Sequence, residues 1–108
     1  MAKIRVEVVH EFKGETVLLV VMDRAGIKKL QDVIAEEKCD TIHEIVINKN
    51  EVKVEILKDK IKWFLTKDKQ DEFLEKMTMM SNSPLPCHNY IDISSPAPVL
   101  YISLDEYL

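Results

Sequence analysis

The stretch Val17-Leu18-Leu19-Val20-Val21-Met22-Asp23-Arg24-Ala25-Gly26-Ile27-Lys28-Lys29-Leu30 decides the fold. Val17 to Met22 is apolar on both faces, so it reads as a strand buried inside a sheet. Asp23 can accept hydrogen bonds from the first free amides of a helix. Ile27, Leu30, Val33 and Ile34 then form one apolar stripe, which ends near Glu37. Upstream, Ile4, Val6 and Val8 alternate with Arg5 and Glu7, the pattern of a half-buried strand. Phe12-Lys13-Gly14-Glu15 connects the two strands as a hairpin, with Gly14 free to take positive φ.

Downstream, Thr41 to Ile47 is the next strand and Asn48-Lys49-Asn50 a turn. Val52, Val54 and Ile56 alternate with Glu51, Lys53 and Glu55, and Lys58-Asp59 turns the chain into Ile61, Trp63 and Leu65. A second helix follows Thr66 or Asp68, with Phe73, Leu74, Met77 and Met80 inside. Ser81 to Pro86 is a loop, and Asn89 to Ile93 and Val99 to Leu104 are the last strands.

This order repeats. Val17 to Val21 matches Ile61 to Leu65 at an offset of 61 − 17 = 44, which also places Leu30 on Leu74 and Val33 on Met77. The strand from His43 after the first helix has a counterpart from His88 after the second. The expectation is one α+β domain over residues 1–108, with half-repeats 1–48 and 49–108. Its mostly antiparallel sheet of about seven strands would carry both helices on one face and Glu51, Lys53 and Glu55 on the other.

Composition excludes several classes. The two glycines, Gly14 and Gly26, stand too far apart to write a G-x-G-x-x-G or Walker-type phosphate loop. No apolar run approaches the roughly 20 residues of a membrane-spanning helix, and the first residues lack the apolar core of a secretory signal. A net charge of −4 disfavours nucleic acid as a partner and is compatible with a basic protein. Two cysteines are too few for a disulfide scaffold, which fits reduced thiols in the cytoplasm.

Chemistry-bearing residues are sparse. Cys39, His43, Cys87 and His88 are of the types that bind zinc, but neighbours such as Cys87 and His88 point to opposite faces of a strand. No serine lies in a G-x-S-x-G elbow. The reading is therefore non-catalytic, with no cofactor and no committed metal site. Trp63 and Phe64 must face opposite ways, so one large ring stands on an open sheet face, where Tyr90, Tyr101 and Tyr107 can join it. Asp68, Asp71, Glu72 and Glu75 of the second helix, with Asp105 and Glu106 of the tail, are candidate acidic flanks for that surface.

The chain resembles a family of immunity proteins from bacterial polymorphic-toxin systems. The likeness rests on the Met22-Asp23-Arg24-Ala25-Gly26-Ile27-Lys28-Lys29-Leu30 turn into a helix, on His88-Asn89-Tyr90-Ile91-Asp92, and on Val99-Leu100-Tyr101-Ile102-Ser103. In this chain the Asp-Arg turn lies in the first half, while the second helix opens on Lys67-Asp68-Lys69-Gln70. The resemblance implies a cytoplasmic protein that neutralises a toxin, such as a basic toxin domain, by binding it. The alternatives are a homodimeric assembly protein built on an exposed sheet edge or face, and a small metal-dependent enzyme using the Cys and His residues.

Overall fold

In a computed structural model that describes residues 2–107, the chain runs β1 (Ile4–Phe12), β2 (Glu15–Met22), α1 (Arg24–Glu36), β3 (His43–Ile47), β4 (Lys53–Ile56), β5 (Ile61–Leu65), α2 (Lys67–Ser81), β6 (Cys87–Asp92) and β7 (Val99–Leu104). The fold is α+β. The strands form a four-stranded sheet, β1-β2-β7-β6, and a three-stranded sheet, β3-β5-β4, in place of the expected single sheet of seven. The two meet where the chain beyond β6 touches β4: Ser94 N donates to Val52 O (2.8 Å) and Val54 N to Ser95 O (3.0 Å). Among the described residues, those two backbone bonds join the sheets.

β2 is interior, paired antiparallel with β1 and parallel with β7, and Val17 to Met22 are all buried. Lys13 and Gly14 form its two-residue turn at φ 53° and 85°, which suits the right-handed twist of the strands. β5 plays the same part in the smaller sheet, paired antiparallel with β4 and parallel with β3. Each hairpin thus receives, in parallel, a strand from the other half of the chain.

Local chemistry sets the helix ends. Asp23 Oδ1 accepts from Gly26 N (2.7 Å) and from Lys3 N (2.9 Å), and these backbone donors hold its carboxyl below the usual range. Glu37 turns left-handed (φ 52°) and Lys38 N reaches back to Val33 O (3.1 Å), a Schellman ending made without glycine. Thr66 caps α2 by accepting from Lys69 N (3.2 Å). The two caps lie 66 − 23 = 43 residues apart, one fewer than the expected offset of 44. A spacing of 43 also matches the buried pairs Ile27 and Gln70, Leu30 and Phe73, and Ile34 and Met77. In parallel pairing β7, not β6, takes the role of β3.

One apolar core contains both helices and the inner faces of both sheets, with Trp63, Phe73, Leu18, Leu30 and Ile34 at its centre. Inside it Gln70 Nε2 donates to Ile34 O (2.8 Å), tying α2 to the last turn of α1. Arg24 closes one end, donating to Asp105 Oδ2 (2.9 Å) and to the carbonyls of Ser81 (3.3 Å), Ser83 (2.6 Å) and Leu85 (3.3 Å). A cation there also complements the carbonyl end of α2. No helix among the described residues is long and apolar enough to cross a membrane.

Candidate functional site

Strand parity builds the site. Leu18, Val20 and Met22 of β2 and Leu100, Ile102 and Leu104 of β7 face the helices. Val17, Leu19, Val21 and Tyr101 therefore face the other way, where no helix covers them, and form a second apolar cluster with Val9, Phe12 and Val99. The register pairs Tyr90 with Tyr101 and His88 with Ser103, so β6 adds its ring-bearing face to the same surface.

The tail completes it. Asp105 and Tyr107 both take left-handed backbone (φ 59° and 55°), folding the chain back over the sheet. Asp105 N donates to Met22 O (2.8 Å) and Arg5 Nη2 to Tyr107 O (3.1 Å). Tyr101, fully buried, sits at the centre: Phe12 (4.8 Å) and Tyr90 (5.0 Å) meet it edge-on, His88 stacks on it (4.8 Å), and Tyr107 lies 6.4 Å away. Tyr90 and Tyr107 are 44% and 48% exposed, so the cluster has a buried hub and a solvent-facing rim. Lys13 Nζ lies over Phe12 and Tyr101, 5.6 and 5.4 Å from their centres.

Ser103, Glu106 and His88 also meet here. Ser103 Oγ donates to Glu106 Oε1 (2.9 Å), and Glu106 Oε2 lies 3.3 Å from His88 Nδ1. In a hydrolytic triad the imidazole stands between hydroxyl and carboxylate, whereas here the carboxylate stands between the other two. His88 is therefore not placed to take the Ser103 proton. The Tyr101 hydroxyl is buried and has no hydrogen-bond partner among the described residues; burial, with the neighbouring Tyr107 and Glu106, pushes its pKa up, so it stays a neutral phenol.

The remaining candidates lie elsewhere. Trp63, expected as a contact residue, is fully buried, and its Nε1 donates to Nδ1 of buried His43 (3.0 Å). It belongs to the Ile61, Trp63, Leu65 face, which turns inward; Phe64 is the outward ring, with Lys53 Nζ 4.9 Å above it. Tyr101 is in the right cluster but supports it from beneath instead of being exposed. Asp68, Asp71, Glu72 and Glu75 ride on α2, on the far side of the four-stranded sheet from the tyrosines. Lysines interleave with them: Glu72 lies between Lys69 (3.0 Å) and Lys76 (2.9 Å), and Asp71 is 4.0 Å from Lys67. Glu72 reaches the edge of β6 through Lys76, which also donates to Tyr90 O (2.5 Å), while the tyrosine rings lie on the other face of that strand. Asp105 is engaged by Arg24, which leaves Glu106 as the tail carboxylate on the site.

The metal candidates are dispersed. Cys39 is exposed beside β3, Cys87 packs inward with Sγ 3.7 Å from Met80 O, and His88 faces outward. No group of three or more His, Cys, Asp or Glu that could hold a metal occurs among the described residues. The larger concavities avoid the tyrosines: one of about 490 Å³ runs beside α1 between Lys28 and Asp40, and one of about 440 Å³ lies between Asn48 and Lys67. The role of Phe12 was not foreseen from sequence; its position just before the hairpin turn was the available signal. Comparison with protein-family models, with curated proteins and with solved structures finds no match to this chain.

Proposed function

We propose that the protein acts by binding another protein, without catalysing a reaction, through the outer face of the four-stranded sheet. The observation that carries this reading is the aromatic rim, Tyr90 and Tyr107 braced on buried Tyr101. A tyrosine side chain offers a large apolar area and a polar tip while losing few rotamers, which favours it at interface centres. Glu7, Asp92 and Glu106 face the same side, and their charge would steer a basic partner. The specific form proposed is an immunity-type protein that neutralises a basic toxin domain by covering it.

The test is calorimetric titration of the protein with the product of a toxin gene encoded beside it. Tight binding that Y90A with Y107A weakens at least about tenfold supports the reading. Unchanged affinity in that double variant, or turnover of a small molecule with no protein complex, overturns it.

A further inference from the structure

Sheet edges expose unpaired backbone groups, and folded proteins usually cover them. Two of the four edges here are paired with other backbone, and a third is met at one carbonyl by a lysine. Along β3, Cys39 bridges Glu44 and Ile45 N donates to Lys38 O. Along β4, Ser94 and Ser95 bond to Val52 and Val54. On β6, Lys76 Nζ takes the carbonyl of Tyr90. The fourth edge is β1, the longest strand at nine residues, and among the described residues nothing bonds to the backbone of its free side.

The side chains of β1 are also incompletely covered. Ile4 and Val6 face the core but are only half-buried, and Val8 is 36% exposed. On the outer side Arg5 and Glu7 are 51% and 49% exposed and stand 3.9 Å apart, a stretched pair. Charges on an edge strand normally repel a second copy. Opposite charges two residues apart instead complement themselves in antiparallel pairing.

We infer that β1 pairs antiparallel with β1 of a second copy of this chain, about a two-fold axis at Val6, joining two four-stranded sheets into one of eight. In this register Arg5 faces Glu7 of the other copy on the outer side, twice. Ile4 faces Val8 on the inner side, covering the exposed valine. Sliding two residues either way sets Arg5 against Arg5 or Glu7 against Glu7 at the two-fold axis, a like-charge contact that the register at Val6 avoids; Lys3, which one such slide would bring to Glu7, lies outside β1 with its backbone bonded to Asp23. A one-residue slip would turn the apolar row outward.

The test is the concentration dependence of mass by sedimentation or light scattering, for the wild type, R5E, E7R and R5E/E7R. The wild type should form dimers as concentration rises. Each single swap creates two like-charge pairs and should raise the dissociation constant about tenfold, and the double swap should restore it. Near-ultraviolet dichroism of Trp63 monitors folding. Amide exchange of the unaltered chain gives a second readout, with slowing at β1 as dimers form. A strict monomer, single swaps that leave dimerisation unchanged, a double swap that fails to restore it, or exchange at β1 independent of concentration overturns the inference.

Discussion

Replacing Gly26 by Ala separates helix propensity from tertiary contact, because the two predict opposite signs. Gly26 lies in the first turn of α1, where Gly→Ala would ordinarily stabilise by up to about 1 kcal/mol. In this fold a Cβ at Gly26 would lie 2.1 Å from the carbonyl oxygen of Lys3 and 3.0 Å from Asp23 Oδ1. Backbone cannot yield as a flexible side-chain tip does, so the segment at Lys3 must move. Moving it breaks Asp23 N to Lys3 O (3.2 Å) and Lys3 N to Asp23 Oδ1 (2.9 Å). Two hydrogen bonds at about 1 kcal/mol each, with overpacking of about 1–3 kcal/mol, outweigh the propensity gain. The expected net loss is about 2–4 kcal/mol, a fall in Tm of roughly 10–20 °C by thermal and urea melts. In a chain lacking residues 1–3 the same substitution should instead stabilise by about 0.5–1 kcal/mol. A higher Tm for G26A in the full chain, or an equal loss in the shortened one, would refute the reasoning.

Three further outcomes follow from other contacts. Burial holds the His43 pKa below 6.5. Below about pH 6.5 the unfolded chain therefore takes up a proton that the folded chain refuses, and stability falls by up to about 1.4 kcal/mol per pH unit. H43Q keeps an acceptor for the Trp63 N–H and should flatten that slope in urea melts between about pH 7.5 and 5; an unchanged slope contradicts the assignment. E37G places glycine at the left-handed end of α1 and should stabilise by about 0.5–1 kcal/mol, whereas a loss would show that the Glu37 side chain matters more than its backbone. R24M should cost about 1–2 kcal/mol and speed amide exchange near residues 81–86 and 105–107 specifically; uniform exchange would argue against Arg24 as a clamp.

The elements were legible wherever the signal was local. Asp23 as cap, the Ile27 to Ile34 stripe and the Lys13-Gly14 turn need only neighbours in sequence, and each appears as read. The division into two sheets depends on β3 pairing with β5 and β7 with β2, and no local pattern specifies a parallel partner. An offset of 44 fits the helix stripes but not the strands, because helix spacing tolerates a one-residue shift while strand parity does not. Shifting the frame by one sets inward Trp63 against outward Leu19 instead of inward Val20. For the site, alternation alone puts Tyr90 with His88 and Tyr101 with Ser103. That Tyr90 lies opposite Tyr101, and that two non-glycine residues bend the tail over both, are tertiary facts.

The placement of β7 bears on how this chain is made. β7, the last described strand in chain order, lies between β2 and β6, in the middle of the larger sheet. Until it emerges, β2 has a partner on one side only, and its six consecutive apolar residues, Val17 to Met22, lack their permanent cover. An unpaired apolar strand is the species that aggregates most readily during folding. The nascent chain is therefore vulnerable until β7 has been synthesised and has inserted beside β2. Removal of Val99–Leu104 would strip β2 of its parallel partner and split β6 from the larger sheet.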